Sequence, residues 1–571
     1  MQRHQCVERG FTLGDEPFAP RLDSLEALRL ARSVFLARRE RGLDGPGIEI
    51  AHQLADVLPL PRTPGAAGDR ARQGNGIAQP LGQAEGFELR VLQRHQRLAQ
   101  VLRSVSCTLA GALARRQISR FVLVRHCYNS DMQSDLQDVV TLALEEARKR
   151  GASQCEADAS MNRGLSVNVR LGEVDTVEYQ RDRGVGVTVY YGKRKGSAST
   201  ADLSAQAVRD TVEKASTIAR YTTDDPFAGL ADPDTLAREI PDLDLDHPWD
   251  LSPDTAVELA RSCEAAGLAV DSRITNSEGA TVGSQRDVRV YGNSHGFLAG
   301  FASTGHTISC VLLAQEGEDM QRDYWFATAR DHADLIAAES IGRKAGERAL
   351  ARLGARKLTT RKSPVLLAPE MARGLFGHFV AAIRGGAQYR KSSFLLGAAG
   401  QSVFPEFLQM QEQPHIRKGL ASSPFDDEGV ATRDRDLVRG GVLQGYVLGS
   451  YSARKLGLVT TGNAGGIHNL IVSTPGKALD FDSLLKRMGT GLYVTELMGQ
   501  GVNGVTGDYS RGASGYWIEN GALTYPVHEV TIAGNLKQMY LNIEALGTDV
   551  DARGAIRTGS ALLRELTIAG D

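Results

Sequence analysis

Peptide or ester hydrolysis needs a metal-bound water or an activated side-chain nucleophile, and several short patterns in this chain could supply one. His528-Glu529 is the only His-Glu dipeptide. A helix-borne zinc site needs a second histidine one turn on, but that position is Ile532, and Tyr525 to Ile532 alternates like a strand. Gly292-Asn-Ser294-His-Gly296 fits the G-x-S-x-G nucleophile elbow, and Val288 to Tyr291 could be the strand before it. The required helix does not follow, because Gly296 to Thr304 reads as strand or turn, so a tight turn competes with a catalytic Ser294. Ser452-Ala-Arg-Lys455 has S-x-x-K spacing without its companion K-T-G and S-D-N elements. Gly499-Gln-Gly-Val-Asn-Gly504 matches G-x-G-x-x-G, yet no helix begins after it to receive a pyrophosphate. Asp426-Asp427-Glu428-Gly429 gathers carboxylates without the alternating ligands of a calcium loop, which favours a solvated turn. None of these makes a self-sufficient active site.

The elements that must carry these residues follow from periodicity. Ser134 and Gln137 have capping-box spacing ahead of a stripe of Leu136, Val139, Val140, Ala143, Leu144 and Ala147, which predicts a helix. Strands are expected at Leu165 to Arg170, Val174 to Tyr179 and Val185 to Tyr191. A second helix capped by Ser204 should bury Ala207, Val208, Val212, Ala215 and Ile218. Asp224-Asp225-Pro226 suggests a boundary, and Ser252-Pro253 reads as an N-cap with proline at the first helical position. Beyond it, strands at Arg273 to Thr275, Val288 to Tyr291 and Ile308 to Leu313 lead to a long helical pattern over Asp331 to Leu353. Asn520-Gly521 is a hairpin signal in a strand-rich remainder. The fold class is α+β: a helix and β-meander layer over 132–225, a mixed α/β middle domain over 226–337 and a strand-rich C-terminal domain over 338–571.

Composition narrows the function. At 571 residues the chain exceeds one compact core, and 42% apolar with 23% charged residues is ordinary for a globular protein. A net charge of -2 gives no footprint for a phosphate backbone, so nucleic acid is not an expected partner. The chain has no long uncharged apolar stretch and its first residues have no apolar signal-peptide core, so membrane contact is not expected and a cytoplasmic protein is. Six scattered cysteines, Cys6, Cys107, Cys127, Cys155, Cys263 and Cys310, form no C-x-x-C pair and suit a reducing compartment. Residues 1–131 differ in kind: Arg recurs there, while no Lys precedes Lys149. That bias, with Gly and Pro breaking up residues 44–86, predicts a poorly ordered extension and a biological start at Met132.

Long segments of the C-terminal part closely resemble the PmbA (TldE) branch of the TldD/PmbA metalloprotease family. They include Gly374-Leu-Phe-Gly-His-Phe-Val-Ala-Ala-Ile383, Tyr389-Arg-Lys-Ser-Ser-Phe394, Lys418-Gly-Leu-Ala-Ser-Ser-Pro-Phe-Asp426, Thr461-Gly-Asn-Ala-Gly-Gly-Ile-His-Asn469, Glu496-Leu-Met-Gly-Gln-Gly501 and Thr506-Gly-Asp-Tyr-Ser-Arg-Gly512. In the catalytic TldD branch, the resemblance implies a His-Glu-x-x-x-His helix and a later cysteine that bind zinc. Here His378 takes the first position, Phe379 replaces the glutamate, Ile383 replaces the second histidine, and no cysteine follows Asn535. The resemblance therefore implies a chain with no metal of its own, paired with a zinc-bearing TldD-type subunit to cleave unfolded peptides, as in microcin precursor maturation or antitoxin degradation. A homodimer is also possible. Residues expected to line a peptide chamber are His378, Tyr389, Arg390, Asn463, His468 and Asp508, on or near the glycine-rich loops Thr461 to His468 and Gly499 to Gly512. A free-standing serine hydrolase using Ser294, or a binding protein with no part in proteolysis, are the alternatives.

Overall fold

A computed structural model describes residues 132–570. The expected extension, the start at Met132 and Cys6, Cys107 and Cys127 belong to a stretch outside the described residues or at its border. The architecture is α+β. No described helix is long and apolar enough to cross a membrane.

The first helix, α1 (132–149), already includes Ser134, which is a helical residue and not its cap. Three strands follow, β1 (Gln154–Arg170), β2 (Glu173–Tyr191) and β3 (Arg194–Thr200). The two expected strands between Val174 and Tyr191 are therefore one. Helix α2 (Ala205–Tyr221) begins at Ser204, whose hydroxyl accepts from the Ala207 amide as the cap pattern requires. Its buried stripe is Val208, Thr211, Val212, Ala215, Ser216 and Ala219. Ile218, expected inside, is 48% exposed, because the stripe drifts one residue on and the small Ala219 takes the contact.

Ser252 caps α3 (Pro253–Leu268) by accepting from Thr255, with Pro253 at the first turn. The middle strands are much longer than their apolar cores suggested: β4 (Ile274–Asn293), β5 (Leu298–Glu316) and β6 (Asp319–Ala329). The expected helix over Asp331 to Leu353 is shorter. His332–Asp334 is a single 3₁₀ turn, and α4 (Ala338–Ala351) starts after it. One antiparallel sheet, in the order β3-β2-β1-β4-β5-β6, joins strands from both sides of the Asp224-Asp225-Pro226 linker. That linker separates stretches of sequence, not sheets. One face of the sheet is apolar. Val185, Val187 and Val189 pack with α1 and α2, and Leu165, Val167, Val169, Ile308 and Leu312 pack with α3 and α4.

The C-terminal part begins with β7 (Arg361–Leu367), α5 (Pro369–Ile383) and the short α6 (Gly385–Tyr389). Strands β8 (Gln409–Glu412), β9 (Arg435–Arg439) and β10 (Val442–Leu443) precede α7 (Ser450–Leu456), β11 (Leu470–Ser473) and α8 (Phe481–Met488). The chain ends with β12 (Gly491–Met498), β13 (Asp508–Glu519), β14 (Ala522–Asn535), α9 (Leu536–Leu541), β15 (Ile543–Leu546), β16 (Ile556–Arg557) and β17 (Ala561–Ala569). A small sheet runs β10-β9-β8-β11-β16, and a larger one β14-β13-β12-β7-β17-β15, in which β17 also pairs with β14. Asn520 (φ 52) and Gly521 (φ 76) form the hairpin between β13 and β14, the left-handed pair that a two-residue turn needs.

Helices α3 and α4 touch backbone to backbone. A Cβ built on Gly342 would lie 1.7 Å from the Cys263 carbonyl oxygen, and one on Gly267 would lie 2.6 Å from the Gly342 oxygen. Gly342→Ala must therefore push the helices apart. We expect it to lower stability by about 2–3 kcal/mol or more, read as a shift of the urea midpoint, whereas Gly374→Ala, with open space around it, should change stability little.

Candidate functional site

The hydrolase patterns resolve into structural parts. Ser294 sits in the turn from β4 to β5, where its amide donates to the Cys155 carbonyl (2.8 Å) and its hydroxyl accepts from the Cys155 amide (3.0 Å). The strand β5 follows it, not a helix, so the hydroxyl extends a sheet edge. Ser452 donates to the Gly449 carbonyl (3.0 Å), while Lys455 reaches Asp225 (3.8 Å) and covers the Phe227 ring. The serine and the lysine are thus engaged separately. Gly499 to Gly504 lies between β12 and β13 with no helix after it, and His528-Glu529 lies within β14.

Within the carboxylate run Asp427 is exposed, as a solvated turn requires, but Asp426 is not. Asp426 is 1% exposed, and its oxygens accept from the amides of Glu428, Val430 and Ala464, each at 2.9 Å. Burial pushes its carboxyl up to about 7, against the pull of those amides. It fastens the turn after Phe425 to the glycine-rich loop. A second buried acid does the same from the other side. Glu412 accepts from Asn463 (2.7 Å), from the His468 amide (2.6 Å) and from Arg435 (2.7 Å). No local motif marks Glu412. Its signal is alternation: Leu408 and Met410 are both fully buried, so an acid at the next inward position needs partners.

Above these anchors lies a cleft. One cavity of about 490 Å³ is lined by Arg384, Tyr389, Arg390, Ser452, Asn463 and Gly465. A second, of about 510 Å³, is lined by Glu156, Tyr190, Lys193, Lys195 and Asp225, and shares Glu428 and Tyr451 with the first. The first therefore gathers Tyr389, Arg390 and Asn463 of the expected chamber residues. Tyr389 meets Tyr451 edge to face, the Arg390 guanidinium lies over the Tyr389 ring, and Arg384 donates to the Gly465 carbonyl (2.9 Å). In the second cavity Glu156 accepts from the Tyr190 and Tyr291 hydroxyls (3.1 and 2.9 Å), and burial outweighs these bonds to hold its carboxyl above the usual range.

The other three expected residues lie elsewhere. His468 is turned into its own loop, its ring 3.3 Å from the Gly462 carbonyl. Asp508 accepts from Thr506 and Asn535, which hold its carboxyl below the usual range. His378 packs edge to face on Tyr509, and burial, with Arg511 nearby, lowers its pKa. On the same helix, Phe379 and Ile383 are fully buried. The cleft also depends on residues with no motif. Arg454 donates to the Phe227, Gly229 and Leu230 carbonyls, Tyr451 donates to Asp225 (2.7 Å), and Arg289 bridges Asp158 and Asp427.

Sequence models of three successive domains match this chain: PmbA/TldA metallopeptidase domain 1 over residues 155–219, the central domain over 246–353 and the C-terminal domain over 360–570. The chain is 52% identical over 435 residues to Metalloprotease PmbA of Escherichia coli O157:H7, covering 76% of this chain and 96% of that one. It is 46% identical over 439 residues to the Metalloprotease PmbA homolog of Haemophilus influenzae, covering 77% and 97%. Among solved structures, a Bacteroides thetaiotaomicron chain named for a modulator of DNA gyrase superposes with a TM-score of 0.71 at 29% identity, covering 76% of this chain and 98% of that one. TldE from Thermococcus kodakarensis shares the fold, with a TM-score of 0.67 at 20% identity over 76% of this chain and 100% of that one.

Two measurements test the anchors. Glu412→Leu strands the Arg435 guanidinium in the interior and should cost about 3 kcal/mol or more, with faster protease cleavage in the loop 461–468. Asp426 holds its proton in the folded chain between its ordinary value of 3.8 and about 7, so its contribution to stability is complete below that window and is lost as pH rises through it. Unfolding in urea at about pH 5 and about pH 8 should show the loss, and Asp426→Asn should shrink the difference.

Proposed function

We propose, for a chain that belongs to the PmbA/TldD metallopeptidase family on its PmbA/TldE branch, the role of a non-catalytic partner that completes a cytoplasmic peptidase with a zinc-bearing TldD-type subunit. The observation that carries this reading is on α5. The family resemblance puts zinc chemistry on this helix, and here the positions for the glutamate and second histidine are Phe379 and Ile383, both inside the apolar core. No cysteine follows Asn535, and among the described residues no three His, Cys, Asp or Glu side chains are gathered to hold a metal ion. A lone imidazole cannot fix a catalytic zinc, so the residues present do not fit that ion.

What the chain can contribute is a wall and a grip. Tyr389 and Arg390, on the wall of the first cavity, offer hydrogen bonds to an extended peptide regardless of its sequence. A chamber closed by such a surface admits unfolded chains and excludes folded ones, which suits peptide maturation and the removal of an unfolded antitoxin. Family relatives include both TldD-type and PmbA-type chains, which supports a pairing of the two.

The test is co-expression with a TldD-type chain, followed by metal analysis and cleavage of an unstructured peptide with and without chelator. The pair should cleave in a chelator-sensitive way, and this chain alone should hold no stoichiometric zinc and show no turnover. Peptidase activity of the chain alone, resistant to chelator and abolished by Ser294→Ala, would establish the serine reading in its place. Arg390→Ala in the active pair should raise KM severalfold with little change in kcat, since the contact proposed is with the bound peptide and not with the reacting bond.

A further inference from the structure

The first cavity carries positive charge that no described acid answers. Arg384 and Arg390 stand at the two ends of the short helix α6, and both line the cavity. A guanidinium has five N–H donors, and each of these spends one: Arg384 on the Gly465 carbonyl (2.9 Å) and Arg390 on the Tyr389 hydroxyl (3.0 Å). Among the described residues no carboxylate pairs with either, although Asp246, Glu370 and Glu412 each hold an arginine elsewhere in the chain. The one acid on the same wall, Glu428, accepts from the Ser450 amide (2.7 Å) and borders the second cavity as well. The other polar side chains are already engaged, Ser452 with the Gly449 carbonyl and Asn463 with Glu412.

Both cations are also held in place. The Arg384 backbone bridges to Val447, beside the buried Ile383, and the buried Gln388 side chain donates to the Ala382 and Leu395 carbonyls, which fixes α6 from within. Arg390 lies over the Tyr389 ring, which in turn meets Tyr451. Glycines leave the room they occupy: a Cβ on Gly386 would lie 3.0 Å from Arg390 Nη2, and one on Gly466 would lie 2.8 Å from Arg384 Nη2. A guanidinium that is positioned, unpaired and exposed matches the two oxygens of a carboxylate.

We propose that the first cavity binds a carboxylate of the extended peptide, with Arg384 and Arg390 as its donors. This inference rests on the reading that the cavity holds a peptide and adds a chemical preference to it; it does not rest on a zinc-bearing partner. Contacts with peptide backbone are indifferent to sequence, whereas charge-assisted bonds are about twice as strong as neutral ones and select for an acid. The carboxylate is either the one that ends the peptide or that of a Glu or Asp side chain. A terminal carboxylate stops the guest in the cavity, and a side-chain carboxylate lets it run on. The second cavity has no such preference, since Lys193 and Lys195 there stand against Glu156 and Asp225.

Fluorescence anisotropy with the full chain at low salt tests it. The probe is a short unstructured peptide of Gly, Ser and Asn with an uncharged fluorophore at its N-terminus, prepared with a free C-terminus, with an amidated C-terminus, and amidated with one internal Glu. The amidated, acid-free form should bind weakly, and a carboxylate should tighten binding about tenfold or more. A gain confined to the free C-terminus identifies the terminal carboxylate, a gain confined to the Glu peptide identifies the side chain, and a gain in both identifies a site that takes either. Arg384→Gln and Arg390→Gln should each reduce the gain severalfold and together abolish it. Because Gln keeps neutral donors, the affinity for the amidated form should change far less, a pattern that loss of structure would not give. Both guanidiniums are exposed, so unfolding midpoints should hold, and Lys344→Gln on the outside of α4 should leave the gain intact. Equal binding of all three forms would overturn the carboxylate preference while leaving the peptide grip standing, and so would a gain that survives the double substitution. Failure of every form to bind would overturn the peptide-holding reading along with it.

Discussion

Three rings contributed by distant parts of the chain fix the C-terminal half. Phe379 of α5 meets Phe404 (5.0 Å) and Tyr540 of α9 (6.1 Å), and Phe404 meets Tyr540 (4.8 Å), all nearly without exposure. Each ring buries a large apolar area, and the two edge-to-face contacts of Phe379 add about 1 kcal/mol apiece, so the cluster dictates which face of α5 turns inward. Once Phe379 and Ile383 point into this core, His378 is turned to another side of the helix, against Tyr509. A carboxylate at position 379 would have to lose its hydration among aromatic rings, which costs several kcal/mol without a partner. The packing that stabilises the domain thus fills positions 379 and 383 with apolar side chains.

The cleft is shaped by a different economy of interactions. Its walls are loops rich in glycine, and loops have little apolar surface with which to hold a fixed shape. Buried carboxylates supply that order instead. Glu412 and Asp426 together take bonds from Asn463, Ala464 and His468, so the glycine-rich loop is gripped at three successive places. Carboxylates bonded this way hold backbone amides inward, and the cavity above is left with side chains that have capacity to spare, such as the Arg390 guanidinium. Charged groups are therefore divided by burial: the deepest build the site, and the shallower ones line it.

Local chemistry was legible in the sequence, and distant pairing was not. Ser204 and Ser252 declare their helices because a cap involves residues only three apart, and Asn520-Gly521 declares its hairpin because the turn's conformation selects those two residue types. By contrast, the bond from Asn463 to Glu412 spans 51 positions and that from Arg454 to Leu230 spans 224, so no window of sequence contains both ends. The same limit explains the carboxylates at Asp426. The turn was readable, but the amide of Ala464 that makes burial tolerable belongs to another loop. Ile218 illustrates the opposite error, a correct helix with its last turn rotated, since an apolar residue near a helix end can be left outside when a smaller neighbour allows closer approach. Of the residues expected to line a chamber, Tyr389, Arg390 and Asn463 lie on one cavity, whereas His468 folds back on Gly462.

The two faces of the six-stranded sheet tie these halves together. Its apolar face is covered by α1 to α4, while along β1 the opposite face presents Glu156, Asp158, Asn162 and Ser166 in alternation with the buried positions. From that polar face Arg289 joins Asp158 to Asp427, the residue after the Asp426 anchor, and the linker carbonyls of Phe227, Gly229 and Leu230 are held by Arg454 of α7. The attachment to the C-terminal half combines these directed bonds with one apolar cluster, in which Phe297 and Phe301 meet Phe425 edge to face at 5.2 and 5.6 Å. The cavity of about 510 Å³ lies where the two halves meet, lined from one side by Glu156 and Tyr190 and from the other by Glu428 and Tyr451.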